Sequence, residues 1–277
     1  KQKTAYEILS GLVGSEMCIR DRYRFGSVVD LTRDKFLGGK LLLHQPKGGY
    51  RAGIDPVLLA GACPALPGDH ILELGCGVGV ASLCLAARVP KLKLYGVEIL
   101  AEYADLARKN ALQNNFKLEV KIGNVSAHPT PFYDQQFHQV IMNPPFFEKN
   151  SSLASPEPGR ASGKIEQVPL SDWFKTATKR LRPKGYLTII QRVERLPDVL
   201  GALQGRLGSI LVQPLAPRDG RRVNLVLVRA RKFGRADFQL LPTKNLHVSH
   251  QTSENQSDYR PEILAILRDG EAFEWTP

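Results

Sequence analysis

The sequence predicts an α/β fold: a seven-stranded, mostly parallel sheet with helices on both faces. Three observations carry this expectation. From His70 onward, apolar strand-like runs alternate with stretches at helical spacing, a pattern that implies parallel strands joined by crossover helices. The first run, His70-Ile71-Leu72, leads into the glycine-rich turn Glu73-Leu74-Gly75-Cys76-Gly77-Val78-Gly79. A later run, Gln139-Val140-Ile141-Met142, stops at Asn143-Pro144-Pro145-Phe146, where proline ends the ladder because it has no N–H to donate.

The elements follow in order. A strand over 70–74 enters the glycine turn, and Val80-Ala81-Ser82-Leu83 opens a helix over 80–88. The apolar run 92–98 is a second strand, the 3.6-residue pattern over 101–114 a helix, and 118–122 and 137–142 are the third and fourth strands. Apolar positions over 169–181 recur at helical spacing; 185–191 is a fifth strand and 196–204 a helix. Residues 209–214 and 223–230 are the last two strands. Their short, turn-rich link, Ala216-Pro217-Arg218-Asp219-Gly220, favours a hairpin over a crossover.

The chemistry sits at predicted strand ends. Glycines at 75, 77 and 79 allow positive φ and close approach of a ligand, and the following helix start offers free N–H groups. Glu98, ending the second strand, is placed to accept hydrogen bonds from ribose hydroxyls. The spacing G-x-G-x-G departs from the G-x-G-x-x-G of a dinucleotide site. Pro144 pushes Asn143 out of helical geometry, so its amide oxygen and the next carbonyl form two acceptors for one planar amino group. Phe146, with Phe147 beside it, can stack on the ring that carries that group. A plain turn after a buried strand is the competing reading.

With these motifs in this order, the chain resembles the class I S-adenosylmethionine-dependent methyltransferases, and among them the amino-methyltransferases whose fourth motif is Asn-Pro-Pro-aromatic. The segments Gly48-Gly49-Tyr50-Arg51-Ala52-Gly53-Ile54-Asp55-Pro56, Leu181-Arg182-Pro183-Lys184-Gly185-Tyr186 and Asp258-Tyr259-Arg260-Pro261-Glu262 look like the bacterial tRNA1(Val) adenine-37 N6-methyltransferase family. The resemblance covers about residues 25 to 270. It implies an antiparallel final strand and S-adenosylmethionine as cofactor, held by Glu73, Gly75, Cys76, Gly77, Gly79 and Glu98. It implies Asn143, Pro144, Pro145 and Phe146 as the catalytic turn. Gly123-Asn124 falls where relatives carry an acid for the adenine amino group; Asn124 would accept through its amide oxygen, more weakly. Asp55 and Arg51 are candidates for the cofactor pocket, although Asp55 could equally cap a helix over 56–60.

Composition narrows the partners. The chain of 277 residues carries 38 Lys and Arg against 27 Asp and Glu, a formal charge of +11, which favours phosphate backbones. Arg218, Arg221, Arg222, Arg229, Arg231, Lys232 and Arg235 crowd one stretch against Asp219. Arg221, Arg222 and Arg231 are therefore expected to contact RNA, with tRNA the leading expectation. A basic solvated face is the competing reading. No apolar run approaches the ~20 residues needed to cross a bilayer. The four cysteines and six histidines have no metal-ligand spacing, so free thiols in the cytoplasm, without metal, are expected.

Residues 1–22 show no clear periodicity and are expected to be extraneous to the fold, with the methyltransferase domain over 23–277. The Ser-, Pro- and Gly-rich stretch 148–167 reads as a surface loop or a lid over substrate. The leading expectation is adenine-N6 methylation of structured RNA. Glutamine-N5 methylation of a release factor shares the Asn-Pro-Pro-aromatic device, but such enzymes usually carry a sizeable helical amino-terminal domain, which is not expected here with fewer than about 50 residues before the cofactor region. Guanine-N2 methylation of ribosomal RNA and a non-enzymatic RNA-binding module are the remaining rivals.

Overall fold

The computed structural model describes residues 30–127, 130–145, 147–148, 165–166, 168–248 and 258–275, and Leu31–Pro277 forms one compact unit. It opens with a hairpin that the sequence did not announce. Strand β1 (Leu31–Phe36) pairs antiparallel with β2 (Leu41–Pro46), Phe36 opposite Leu41. Helix α1 (Asp55–Ala62), β3 (His70–Leu74), α2 (Val80–Arg88), β4 (Lys93–Glu98), α3 (Ala101–Gln113), β5 (Leu118–Ile122) and β6 (Phe137–Met142) follow. Two-residue strands β7 (Phe147–Glu148) and β8 (Ile165–Glu166) pair with each other. Then come α4 (Leu170–Arg180), β9 (Leu181–Arg192), α5 (Leu196–Leu203), β10 (Gly208–Ala216), β11 (Leu225–Arg231), β12 (Gln239–Leu240), β13 (Lys244–Asn245) and α6 (Pro261–Leu264).

Seven long strands lie in the order β10-β11-β9-β6-β3-β4-β5, and the short β12 and β13 both pair with β10 to give nine. Strands β5, β4, β3, β6 and β9 are mutually parallel; β11 inserts antiparallel between β9 and β10. The expected hairpin and antiparallel final strand are both present. The expected fifth strand is longer than its apolar run, because β9 starts at Leu181, directly after α4.

Alternation splits the core into two layers. Ile71, Leu94, Ile141 and Ile190 face α1, α2 and α3, whereas Leu72, Leu74, Val140, Met142 and Ile189 face α4 and α5. With both faces covered, β3 and β6 are buried along nearly their whole length, which is why they read as continuous apolar runs.

The β1–β2 hairpin is held by amides on α3. Asn110 accepts from the His44 N–H at 2.8 Å and donates to the His44 carbonyl at 3.0 Å; Asn114 treats Leu42 likewise at 3.0 and 2.9 Å. Four residues apart on a helix, the two amides share one face and satisfy the free edge of β2 as a further strand would. Asn110 also donates to the Val78 carbonyl at 3.0 Å, which ties the hairpin to the glycine turn.

Candidate active site

Strands β3 and β6 run side by side with Leu74 registered on Met142. Gly75 and Asn143 therefore leave adjacent strand ends at the point where the strand order reverses, the place where open α/β sheets collect ligands. On the other side of β3, Val97 is registered on Leu74, and its carbonyl accepts from the Gly75 and Cys76 N–H groups at 2.8 and 3.0 Å. Three separate segments converge on one cavity, whose wall includes Glu73, Gly75, Cys76, Gly77, Glu98 and Asn124 together with Asn143, Pro144 and Pro145.

The three glycines of the turn all have positive φ, at 68°, 53° and 87°, but their surroundings differ. A Cβ at Gly75 would sit 2.7 Å from the Trp173 ring, and one at Gly79 would meet Leu118 and Ala107. A Cβ at Gly77 would meet nothing within 4 Å, so this residue faces the open cavity. Gly79 is the N-cap of α2 and does not line the cavity; its part is to turn the chain into the helix.

Two carboxylates are buried in the wall. Glu98 accepts from the Gly77 N–H at 2.8 Å and the Leu100 N–H at 3.0 Å, and burial raises its pKa. Glu73 accepts from the backbone N–H of Ser82 at 3.0 Å and from the Ser82 hydroxyl, close to the start of α2. Burial, with the Glu98 charge adding to it, pushes the Glu73 pKa up from 4.5 to about 8. No cation pairs with either acid among the described residues. Glu98, buried and without an internal counter-charge, is suited to a cationic ligand, whereas Glu73, with its pKa at about 8, holds its proton at neutral pH.

The Glu73 shift has a consequence for stability. Its folded-state pKa lies above its unfolded value, so the folded chain binds more protons between pH 4.5 and about 8, and stability falls as pH rises through that window. Thermal melts of Glu73→Gln, whose side-chain oxygen still accepts from Ser82, should show a shallower loss of Tm over that window than wild type. Parallel slopes would assign the pH dependence elsewhere.

Asn143 carries the feature most relevant to chemistry: its Oδ1 is buried and has no hydrogen-bond partner. Buried acceptors are usually paired, and this unpaired oxygen, on a residue of the cavity wall, is open to a donor from a ligand. The Pro144 carbonyl follows it directly. Phe146 lies outside the described residues, as does most of 148–167; Phe147 belongs to β7.

Several expectations need correction. Asp55 is not part of the cavity wall, whereas Pro56 is. It is the first residue of α1 behind the N-cap Ile54, half-buried, with its pKa raised by burial against the opposing Arg192 charge. Nor is it the cap, because the helix begins one residue earlier than its proline suggested. Arg51 turns away to Asp34 at 2.8 Å. Asn124 lines the cavity, but its Oδ1 accepts from both the N–H and the hydroxyl of Ser126 at 2.9 Å, so the acceptor role expected of it is filled from within the chain.

The basic stretch does not form one surface. The β10–β11 turn, with Arg218, Arg221 and Arg222, lies at the carboxyl edge of the sheet, where the cavity opens. Arg231 is registered on Tyr186 at the opposite edge, six residues or about 20 Å along the strand. Arg218 pairs with Asp258. Arg229 stacks on Trp275 at 4.6 Å and Arg231 on Tyr186 at 5.2 Å. Lys232 donates to the Thr178 and Leu181 carbonyls at the end of α4. Arg221 and Arg222 are exposed.

The cavity also uses residues that the sequence reading missed. Ile99 and Leu100, 46% and 37% exposed, present apolar surface beside Glu98. The Tyr103 hydroxyl accepts from the Tyr50 N–H at 3.1 Å and donates to its carbonyl at 3.2 Å, holding Tyr50 in the wall. Trp173 covers Gly75 from α4, with a buried Nε1 that has no partner. Ile99 and Leu100 could have been found as apolar residues directly behind a strand-end acid. Nothing local marks Trp173, because its amphipathic helix reads as ordinary core.

A family model described as the methyltransferase small domain matches residues 54–210. The chain is similar to a tRNA1(Val) (adenine(37)-N6)-methyltransferase of Porphyromonas gingivalis, 35% identical over 167 residues, covering 57% of this chain and 64% of that one. It thus spans less than two thirds of that relative. A protein of the same description from Yersinia enterocolitica is 26% identical over 232 residues, covering 79% and 85%. The crystal structure of a predicted O-methyltransferase from Agrobacterium tumefaciens superposes with a TM-score of 0.64 at 24% identity, covering 79% of this chain and 98% of that one, a likeness of fold.

Proposed function

Because the chain belongs to the methyltransferase small domain family, we propose that it methylates the exocyclic N6 amino group of an adenine in tRNA, with S-adenosylmethionine as methyl donor. The observation that carries this reading is the buried, unpartnered Asn143 Oδ1, set beside the Pro144 carbonyl at the end of β6. The names of the curated relatives support tRNA as the substrate.

The residues present fit the cofactor. Glu98 would hold the ribose hydroxyls, Ile99 and Leu100 would cover the adenine ring, and the backbone of Gly75 to Gly77 would receive the methionine end. Glu98, with which no cation among the described residues pairs, would offset the positive charge of the sulfonium. When bound, S-adenosylmethionine supplies an electrophilic methyl group on a sulfonium sulfur.

The chain's own part is positioning and electrostatics. The N6 lone pair of adenine is delocalised into the ring, which makes it a poor nucleophile. Asn143 Oδ1 and the Pro144 carbonyl each accept one amino hydrogen and favour a pyramidal nitrogen whose lone pair can attack. Methyl transfer would leave the sulfur as a neutral thioether and the nitrogen with a surplus proton, which passes to water afterwards. Asn143 and Pro144 therefore need only accept hydrogen bonds, and no general base is required beforehand. From the sequence motif, Phe146 and Phe147 would stack on a base displaced from its neighbours, as enzymes acting on a base require. Mass spectrometry of tRNA nucleosides from cells with and without this protein tests the reading: N6-methyladenosine should be lost at one position. Unchanged tRNA with a release factor losing methylated glutamine would pass the function to the glutamine alternative.

The tRNA contact is assigned to the carboxyl edge alone. Arg221 and Arg222 are exposed there, and each phosphate they neutralise releases condensed counterions. Arg221→Glu/Arg222→Glu should weaken tRNA binding and flatten its salt dependence while sparing cofactor affinity. Arg231→Glu, about 20 Å away along β11, should leave the salt slope unchanged. Equal effects of the two would return the basic stretch to a diffuse positive field.

A further inference from the structure

Two successive prolines leave residues 144 and 145 without a backbone N–H between them, so the turn has no donor of its own with which to fix its peptide planes. Among the described residues, no backbone N–H donates to the Pro144 carbonyl. The side chain of Gln191 does. It reaches across from β9, and its Nε2 donates to the Pro144 carbonyl at 3.2 Å. Its Oε1 accepts from the Arg192 N–H at 2.8 Å, which sets the amide the right way round. Gln191 is fully buried. Its place follows from register: Ile189 lies on Met142, so two residues further on β9 lies level with two residues past the end of β6.

We propose that Gln191 is a positioning residue for methyl transfer, holding the Pro144 carbonyl so that its second lone pair faces the substrate amino group beside Asn143 Oδ1. A carbonyl oxygen has two lone pairs. The amide of Gln191 occupies one and fixes the plane, leaving the other aimed into the cavity. This rests on the adenine-methylation reading of the same site, and it adds a residue that contacts neither cofactor nor substrate.

The test uses the full chain with tRNA and S-adenosylmethionine. Gln191→Leu keeps the volume and removes the donor; kcat should fall by about 10- to 100-fold, since misplacement on the ångström scale costs up to this much. KM for tRNA and cofactor affinity should stay near wild type. Gln191→Glu supplies the arm that a merely structural role would not move. A neutral carboxyl can donate to the carbonyl and a carboxylate cannot, so its activity relative to wild type should fall as pH rises, while Gln191→Leu stays low at every pH. A folded Gln191→Leu with wild-type kcat, or a Gln191→Glu whose ratio to wild type is flat with pH, overturns the inference. Wild-type protein that methylates no tRNA overturns the proposed function and this inference with it, whereas wild-type activity matched by Gln191→Leu overturns this inference alone.

Discussion

Asn143→Ala should abolish measurable methylation of tRNA while leaving affinity for S-adenosylmethionine nearly intact. The two effects should separate because Asn143 follows β6, whereas the proposed ribose and methionine contacts fall on the turns after β3 and β4. Removing one preorganised polar group aimed at the reacting centre costs on the order of 10²–10³ in rate. The loss should fall on kcat. It should not fall on stability: the deleted oxygen has no partner inside the chain, so no internal hydrogen bond to it is broken. Single-turnover rates alongside calorimetric cofactor binding decide the matter. Wild-type turnover in a folded Asn143→Ala would remove the proposed mechanism.

Glu98→Ala should have the opposite signature, a collapse of cofactor affinity. The carboxylate already accepts the Gly77 and Leu100 N–H groups, and each of its oxygens has a further lone pair for a ribose hydroxyl. Hydrogen bonds to a charged group contribute about 1.5–3 kcal/mol each, so affinity should fall by roughly 100-fold or more. The variant also leaves two N–H groups without their acceptor and frees the Gly77 turn, so some loss of thermal stability should accompany it. Glu98→Gln, which retains one acceptor oxygen, should fall between the two. Calorimetry on folded protein is the readout, and unchanged affinity in Glu98→Ala would take the ribose contact away from this residue.

The two variants act on features of different legibility. Glu98 and Asn143 were readable because each ends an apolar run, and a strand end is a local property of the chain. The glycines were readable for the same reason, since a turn with three positive φ values needs residues without Cβ. The adjacency of Leu74 and Met142, which brings Gly75 beside Asn143, followed from the order of strands that this succession of elements implies.

What the sequence by itself determined, then, is the set of strand ends and the residues that line the cavity from them: Glu73, Gly75 to Gly77, Glu98, and Asn143 with its prolines. Side-chain partners were decided only by the tertiary structure. Gln191 reaches Pro144 through the pairing of β9 with β6, and Asn110 and Asn114 take up the edge of β2 from more than 60 residues away. Asn124 lost its expected role to Ser126, and the seven cations that crowd one stretch of sequence were divided between opposite edges of the sheet. The physical reason is common to all four. Periodicity, glycine and proline act on the chain's own backbone within a few residues, whereas a polar side chain is satisfied by whichever group the fold brings within about 3 Å. Because β11 runs from one edge of the sheet to the other, nearness in sequence still leaves the two ends of one basic stretch at opposite edges.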